Sequence, residues 1–331
     1  MLRIGTIGTG MIVSEFINAC RENKEVEITC LYSRSLDKAK IFSLKNNLQV
    51  RMVDNFEEML DYIDIIYIAS PNGLHYQQAK YFLQQQKHVL LEKPAAFCQS
   101  EVIDLKNIAL MNNVILMEAF KPIHLPEFQI LKKTVDEIKP FLANFNWNKY
   151  SSRMKDVLND EYPSVFDEIL GRGSLYDALI YPVELAGALF GPIKEVKAMS
   201  HKLKNGVDIN NIVLLRHQNN IFTSIVCSKA TNGKSESEIL SYDYTITFNN
   251  LTSIDNLVLH RREEDDEQQL TATSTNPNRM TYELNVFLDL INSNNFTEME
   301  RLLDLTINAI GALEAIDRNQ NQQGEFIDEI K

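Results

Sequence analysis

Apolar residues follow two spacings along the first third of the chain. Short continuous apolar runs, typical of buried strands, alternate with stretches in which apolar residues recur every three or four positions, as in amphipathic helices. This alternation predicts βαβ units and a parallel sheet. The strands predicted on this basis are residues 2–7, 26–32, 63–69, 88–91 and 114–117.

The pattern changes after about residue 120. Residues 151–172 carry charges and predict a loop. Residues 174–189 form one apolar stretch that predicts a single helix, and residues 261–278 predict an acidic loop. Further strands are predicted at 141–150, 195–201, 212–217, 221–228 and 242–248, and further helices at 125–137, 282–293 and 298–319. We therefore expect an α/β domain over 1–120 and an α+β domain with an open, mostly antiparallel sheet over 121–331.

Composition limits the classes of function. A chain of 331 residues is longer than one hydrophobic core usually supports, which agrees with two domains. The net charge of −12 argues against a nucleic-acid partner, and no apolar run is long enough to span a membrane. Neither the four scattered cysteines nor the six histidines have the spacing of metal ligands. We expect a cytoplasmic protein without a signal peptide or a metal.

The turn after the first strand has the sequence of a dinucleotide-binding fingerprint. Glycine torsions at Gly8 permit a tight turn, and the missing side chain of Gly10 lets a pyrophosphate approach the backbone. The helix start that follows directs amides at such an anion. An ordinary βα turn is the alternative. The expected cofactor contacts of this Rossmann-type domain are Gly8, Thr9, Gly10, Met11 and Ile12.

The end of the second strand bears on the choice of cofactor. A chain selective for NAD usually has an acidic residue there for the ribose 2′-hydroxyl, whereas this chain has Ser33 and Arg34. Hydroxyls and a guanidinium suit a 2′-phosphate, so NADP(H) is expected in preference to NAD(H). Arg34 could instead be a solvated cation at the start of the next helix, near Asp37.

Two further turns follow strands that we expect to end at the same edge of the sheet. Ser70, Pro71 and Asn72 come after the most apolar strand, and Glu92 and Lys93 come after the next one. Open α/β sheets bind ligands at this edge, and a proline after Lys93 limits that lysine to extended torsions.

Together these residues resemble the Gfo/Idh/MocA family, named after glucose–fructose oxidoreductase and inositol dehydrogenase. The motifs that carry the resemblance are Gly8-Thr-Gly10, Ser33-Arg-Ser35, Ser70-Pro-Asn72 with His75, Glu92-Lys-Pro94, Glu118-Ala-Phe120, and Gly171-Arg-Gly-Ser-Leu-Tyr-Asp177 with Tyr181. Because it has a tyrosine at position 181, the chain is similar to the dihydrodiol and D-xylose dehydrogenase branch of this family. The resemblance implies a cofactor site that includes His75, a dehydrogenase or reductase acting on CH–OH groups, and catalysis by Lys93, Asp177 and Tyr181.

The chemistry of the same residues agrees with that role. Asp177 and Tyr181 are four positions apart, so on one helix they would share a face. A phenol with a pKa near ~10 is a poor base at neutral pH, and a cation such as Lys93 would stabilise its anion. We expect Tyr181 to exchange the hydroxyl proton during hydride transfer, with Lys93 polarising the substrate oxygen and Asp177 orienting hydroxyls or Lys93.

Structural roles remain open for each of the three residues. Tyr181 could be a core aromatic, Lys93 a cation closing a strand end, and Asp177 only its counter-ion. A non-catalytic NADP(H)-binding sensor on the same fold would need the glycine turn and Arg34 without the other three. The co-occurrence of all three favours an enzyme acting on a sugar, polyol or cyclic diol.

Substrate contacts and assembly are less constrained. Phe120, His124 and Arg172 are candidates for lining the substrate site, and Arg172 interrupts the glycine run that the family has before Asp177. Lys121-Pro-Ile123 also departs from the Met-Tyr-Arg of many relatives in the branch. Cofactor chemistry should therefore carry over better than substrate identity. An open sheet must cover one face, so a homodimer or a higher homo-oligomer is expected.

Overall fold

The protein is described by a computed structural model covering residues 1–263, 267–272 and 275–322. The chain forms two compact units. The first comprises Met1–Ile130 and Thr271–Ile307, and the second comprises Leu131–Leu270 and the residues from Asn308 onward. This grouping differs from the predicted division at residue 120, because a later segment that includes a whole helix belongs to the first unit.

The first unit contains a six-stranded parallel sheet in the order β3-β2-β1-β4-β5-β6. Its strands are β1 (Leu2–Ile7), β2 (Val26–Tyr32), β3 (Arg51–Val53), β4 (Ile65–Ile68), β5 (His88–Glu92) and β6 (Leu116–Ala119). All four residues of β4 are buried, as a central strand covered on both faces requires. The predicted parallel α/β domain is therefore confirmed.

The first unit also contains helices. They are α1 (Met11–Glu22), α2 (Leu36–Lys45), α3 (His75–Gln84), α4 (Gln99–Met111) and α9 (Met280–Ser293), with short 3-10 turns at Glu57–Tyr62, Asn72–Leu74 and Lys121–His124. The apolar spacing of α1 buries Val13, Phe16 and Ile17 on one side, and the ring of Phe16 stacks on Tyr67 of β4 at 3.8 Å. Two longer helices, α5 (Pro126–Ile138) and α10 (Phe296–Gln322), each contribute residues to both units.

The second unit contains an eight-stranded sheet in the order β14-β13-β12-β11-β7-β10-β9-β8. Its strands are β7 (Leu142–Asn148), β8 (Ile193–Lys202), β9 (Asp208–His217), β10 (Phe222–Ser228), β11 (Ser237–Leu240), β12 (Tyr244–Asn249), β13 (Asp255–Arg261) and β14 (Glu267–Gln269). Its shorter helices are α6 (Met154–Leu158), α7 (Gly173–Asp177) and α8 (Ile180–Phe190), with a 3-10 turn at Ser164–Phe166. The predicted open, mostly antiparallel sheet is confirmed.

Several local predictions for this unit were wrong. The segment 151–172 contains α6 and a 3-10 turn, and β11, β13 and β14 were not predicted. Strand β7 pairs with β10 in parallel, an arrangement that apolar spacing does not distinguish from antiparallel pairing. Strand β14 lies inside the predicted acidic loop, while the acidic residues 264–266 of that loop lie outside the described residues.

The single helix predicted over 174–189 is two helices. Helix α7 ends at Asp177, α8 begins at Ile180, and Ala178 and Leu179 form a turn between them. Pro182 has no amide hydrogen, so the hydrogen bond that would join residue 182 to Ala178 is missing. The amide of Tyr181 instead donates to the Ala178 carbonyl at 3.2 Å, which tightens the backbone at the break.

One side of the second sheet is apolar and exposed. Residues alternate between buried and exposed positions along β9 and β10, as the two-residue repeat of a strand requires. Met199, Ile212 and Val226 are neighbours across three strands on the exposed side. Together with Leu214 and Phe222 they form what we call the outer apolar face, with 41–69% of each residue exposed.

A buried polar cluster lies under the end of β5 in the first unit. The hydroxyl of Tyr67 donates to Glu92 Oε1 at 2.5 Å, and burial raises the pKa of the Glu92 carboxyl. Glu283 of α9 is 1% exposed, and its Oε2 atom has no hydrogen-bond partner among the described residues. Burial, and then the charge of Glu92, raise the pKa of Glu283 well above its ordinary value. Burial therefore favours the neutral form of Glu283 in the folded protein.

Replacing Glu283 by glutamine should change how stability depends on pH. Because the folded-state pKa is raised, the native carboxyl stabilises the fold below its unfolded pKa, and this stabilisation is lost as pH rises toward the folded pKa. The variant lacks that loss. We expect Glu283→Gln to gain about 1–3 kcal/mol over the native protein between pH 5 and 9. Denaturant unfolding across this range measures it, with Asp289→Asn, an exposed acid on the same helix, as the control. Parallel stability curves would contradict the inference.

Candidate functional site

The turn between β1 and α1 requires glycine at one position and leaves open space at another. Gly8 has a φ of +117°, and a Cβ there would lie 2.6 Å from the carbonyl oxygen of Ala69. A larger residue would therefore push β1 away from the end of β4. A Cβ at Gly10 would meet no atom within 4 Å, and the residue is exposed. The backbone at Gly10 can therefore be approached from outside the protein.

The start of α1 is suited to an anion. Gly10 is the residue before the helix, and no side chain of the described residues caps the first amides. These amides and the helix dipole favour a negative charge at this place. Met11 is 79% exposed although it is apolar, and Ile12 and Thr9 are also at least partly exposed. Since the backbone is accessible and uncapped, these residues fit the pyrophosphate of a dinucleotide.

The segment after β2 leaves a guanidinium available. Ser35 caps α2 by accepting from the Lys38 amide at 3.3 Å, and its own amide donates to the hydroxyl of Ser33 at 3.3 Å. Arg34, between the two serines, is exposed and makes no ion pair within the described chain. Asp37 instead lies 3.8 Å from Lys40. The residues therefore fit a 2′-phosphate.

His75 connects the two turns at the carboxyl ends of β4 and β5. It is 1% exposed, and its ring nitrogens lie 2.9 Å from the carbonyl oxygen of Ser70 and 2.8 Å from that of Pro94. Burial lowers its pKa. The structure thus gives the predicted cofactor contact His75 an indirect position: it holds together the segments that carry Ser70 and Lys93.

The strand ends place several predicted residues together. Ser70, Pro71 and Asn72 are all partly exposed, and the Ser70 hydroxyl donates to Gln78 Oε1 at 2.8 Å. Glu92 is buried and ends β5, whereas Lys93, the next residue, is partly exposed. Burial raises the pKa of Glu92 and the charge of Lys93 opposes this rise, whereas burial lowers the pKa of His75 and the charge of Lys93 adds to this fall, as expected of an ammonium close to both.

Asp177 and Tyr181, both in the second unit, keep exposed surface in a buried segment. Every residue from Gly173 to Gly187 other than these two is buried. The prediction that the two side chains share one continuous helix was wrong, because Asp177 ends α7 and Tyr181 lies in the first turn of α8. The tyrosine is also not the fully buried core aromatic of the alternative interpretation.

Two neighbours of this pair were missed in the sequence. Lys229, directly after β10, forms an ion pair with Asp177, and only 11% of its side chain is exposed. Trp147 of β7 places its ring 5.7 Å from the ring of Tyr181. No spacing in the sequence relates these residues to α7, because strand pairing between β7 and β10 brings them there. The single tryptophan of the chain was the one available signal.

The three candidates for substrate contact lie in different surroundings. Phe120 is 1% exposed, which leaves little surface for a ligand. His124 is partly exposed, and burial together with the charge of Arg301 lowers its pKa to about 4, so it is neutral at physiological pH. Arg172 is exposed, directly precedes α7 and lies 5.9 Å from the ring centre of Tyr176.

Three further observations concern a cavity, metal sites and membrane-spanning helices. A cavity of 520 Å³ in the first unit is lined by polar residues near the end of α1 and by α9, and it contains none of the predicted site residues. Across residues 1–263, 267–272 and 275–322, no group of three or more histidine, cysteine or acidic side chains could hold a metal ion. Within the same ranges, no helix combines the length and apolar character needed to cross a bilayer.

Similarity to known proteins agrees with the geometry. Residues 2–120 match the family described as "Oxidoreductase family, NAD-binding Rossmann fold", and residues 137–247 match the GFO/IDH/MocA C-terminal domain. The chain is 32% identical over 320 residues to scyllo-inositol 2-dehydrogenase (NADP(+)) IolU of Bacillus subtilis, covering 95% of each chain. It is 26% identical to the trans-1,2-dihydrobenzene-1,2-diol dehydrogenase of Sus scrofa, covering 69% of this chain and 68% of the relative.

A solved structure shares the fold. The 3-ketoreductase KijD10 of Actinomadura kijaniata, in complex with NADP and TDP-benzene, superposes with a TM-score of 0.85 at 19% identity, covering 96% of this chain and 97% of the other. The sequence matches over both domains show that the chain belongs to the Gfo/Idh/MocA family of oxidoreductases.

Proposed function

We propose that the protein is an NADP(H)-dependent dehydrogenase or reductase that interconverts a secondary alcohol and a carbonyl on a sugar, polyol or cyclic diol. The observation that carries the proposal is the pair Asp177 and Tyr181, the two polar side chains that keep exposed surface in an otherwise buried segment. A side chain must keep exposed surface to reach a ligand, and these two keep it where every neighbour from 173 to 187 is buried. The named substrates of the relatives, an inositol and a dihydrodiol, support the substrate class.

The proposed mechanism assigns each side chain a separate task. The bound nicotinamide dinucleotide supplies or accepts the hydride. Tyr181 gives its phenolic proton to the developing alkoxide in reduction and takes the proton back in oxidation. Lys93 supplies positive charge that stabilises the phenolate and the substrate oxygen. Asp177 orients substrate hydroxyls, and its ion pair with Lys229 holds the carboxylate in one place.

Removing the hydroxyl of Tyr181 tests this assignment. We expect Tyr181→Phe to lower kcat by about 10²–10³-fold, because general acid–base catalysis contributes an effect of this size. The dissociation constant for NADPH, measured by fluorescence titration, should stay within about twofold. Scyllo-inositol heads a panel of polyols, aldoses and cyclic diols, and Tyr150→Phe, an exposed tyrosine of the same unit, is the control. Unchanged turnover in Tyr181→Phe would remove the tyrosine from the mechanism, and a native protein inactive on the whole panel would favour a sensor.

The preference for NADP(H) rests on Arg34. Its guanidinium is exposed, lies beside two serine hydroxyls and makes no ion pair within the described ranges. A planar guanidinium binds phosphate through two hydrogen bonds, whereas a ribose hydroxyl needs no cation. The name of the Bacillus relative, which specifies NADP(+), supports the same choice.

Replacing Arg34 should therefore discriminate between the two cofactors. We expect Arg34→Ala to weaken NADPH binding about tenfold or more, the loss typical of a charge-assisted hydrogen bond, and to leave NADH binding nearly unchanged. Titration of both cofactors against the native protein and the variant measures this. Lys40→Ala, a neighbouring cation on α2, is the matched control. Equal weakening of both cofactors, or of neither, would contradict the role of Arg34.

We also propose a homodimer or a higher homo-oligomer assembled through the outer apolar face. Apolar side chains on adjacent strands form one continuous exposed surface there, and a patch of this kind is typical of an interface. A second copy can supply the same face around a two-fold axis, which makes the contact self-complementary.

A charge in the middle of this face should separate the copies. Leu214→Glu would bury a carboxylate between apolar surfaces, so we expect the particle mass to fall to that of one 38.0 kDa chain in light scattering after gel filtration. Leu44→Glu, an equally apolar residue that is 78% exposed in the first unit, should leave the mass unchanged. A native protein that is already monomeric, or a Leu214→Glu variant of native mass, would rule the interface out.

The state of the cysteines bears on the compartment. Among the described residues, Cys20, Cys30, Cys98 and Cys227 form no disulfide bond, and three of the four are buried. Reduced thiols persist in reducing compartments. They support the proposal that the protein works in the cytoplasm.

A further inference from the structure

A buried carboxyl outside the predicted site holds the helix that carries Asp177. Asp208, the first residue of β9, is 5% exposed. Its Oδ1 atom accepts the amide hydrogen of Leu175 at 3.3 Å, and its Oδ2 atom accepts from Asn211 Nδ2 at 2.5 Å. The carboxyl therefore joins the strand to the interior of α7.

The hydrogen bonds continue to a second helix. The side-chain oxygen of Asn211 accepts from Gln320 Nε2 of α10 at 2.7 Å. Asn211 is 1% exposed and Gln320 is 8% exposed, so water does not compete for these bonds. The connected side chains thus link α10, β9 and α7 within the second unit.

The backbone of α7 lies directly on β9. Gly173, the first residue of α7, has a φ of +73°, and a Cβ there would overlap the backbone carbonyl of Asp208. Helix α7 has only five residues, so Asp177 is two positions beyond the amide that Asp208 holds. A shift of this amide would be passed on to Asp177.

A second contact fixes α7 from the side of Lys229. The hydroxyl of Ser174 lies 3.7 Å from the sulfur of Cys227 in β10, and Lys229 follows two positions later. Lys229 is therefore two residues from this buried contact, and its ion-pair partner Asp177 is three residues from it. The place where they meet depends on how α7 sits on β9 and β10.

We propose that Asp208 is a positioning residue, which fixes the first turn of α7 and thereby sets where Asp177 meets Lys229. The proposal rests on the proposed function in so far as it makes this placement matter for turnover. Asp208 itself touches neither substrate nor cofactor in the proposed mechanism.

The ionised form of Asp208 is the one that holds the helix. A carboxylate accepts both N–H groups, whereas a protonated carboxyl would point a hydrogen at one of the two donors. Burial raises the pKa of Asp208 to about 7, and the charge of Asp317 on α10 also raises it, while the bonds from Asn211 and Leu175 lower it. Cys227 is the titratable group that faces Asp208 from β10, and the charges of Lys229 and Asp177 act on that thiol. The hold should loosen as pH falls through about 7.

The contribution of Asp208 to the stability of the fold should depend on pH in the opposite way to its hold on α7. Because the folded-state pKa lies above the ordinary value of 3.8, the Asp208 carboxyl stabilises the fold below about pH 4, and this contribution is lost as pH rises through about 7. The pH range in which Asp208 positions α7 is therefore the range in which it stabilises least. A residue needed only for stability would not show this opposition.

The test compares Asp208→Asn with the native protein by kinetics and by fluorescence. Trp147, the single tryptophan, is paired with Cys227 across β7 and β10 and contacts Tyr181, so its emission reports on this region. In the native protein we expect kcat to fall as the pH is lowered from 8 to 6. The emission of Trp147 should change over the same range, and both transitions should have a midpoint near pH 7. In Asp208→Asn we expect kcat at pH 8 to be about tenfold lower, the dissociation constant for NADPH to be unchanged, and both pH transitions to be absent.

A second variant covers the case in which Asp208→Asn does not fold. Asn211→Ser keeps the carboxyl but removes a bond that lowers its pKa, so we expect the midpoint of the Trp147 titration to move to higher pH. Asp243→Asn, an exposed acid of the same unit, is the control and should change nothing. Native kcat and native pH profiles in Asp208→Asn, or an unmoved midpoint in Asn211→Ser, would overturn the proposal.

The outcome is separable from that of the proposed function. If Tyr181→Phe is fully active, the mechanism fails, yet the Trp147 titrations still decide whether Asp208 holds α7. If Tyr181→Phe is inactive and Asp208→Asn leaves both titrations unchanged, the mechanism stands and the positioning role is refuted.

Discussion

The structure depends on one constraint, which is that a polar group taken out of water must find a partner. In each unit the constraint applies where a buried element ends beside a residue of the candidate site. In the first unit, His75 contacts two backbone carbonyls and thereby joins the turns that follow β4 and β5. In the second unit, Asp208 accepts from the amide of Leu175 and joins α7 to β9. The segments that carry the candidate site residues are thus held by side chains that are almost fully buried.

The same constraint distinguishes buried ionisable groups, which support the structure, from exposed ones, which are available to a ligand. The buried carboxyls of Glu92, Glu283 and Asp208 all have raised pKa values, because burial disfavours the charged form. Lys93, Asp177 and Arg34 keep exposed surface, so water still reaches their side chains. A protein that transfers a hydride needs both kinds of group, since the acting charges must be available and their supports must not move.

Much of the first unit could be predicted from the sequence. The strands Leu2–Ile7 and Val26–Tyr32 have the predicted bounds, because their apolar residues are flanked by polar turns. The second unit was predicted less well at α7 and α8, where Pro182 interrupts an apolar run that reads as a single helix. The glycine turn was predicted from the backbone torsions that glycine permits. The positive φ of Gly8 supports this prediction.

The sequence by itself determined the two kinds of fold, the family and the candidate residues, because each depends on patterns within a few neighbouring positions. Only the tertiary structure decided that Asp177 pairs with Lys229, that Trp147 lies beside Tyr181, and that Asp208 holds α7. These contacts join residues about 30 to 50 positions apart through strand pairing and side-chain burial. No spacing in a linear chain encodes such distances, since they follow from how the sheet is ordered.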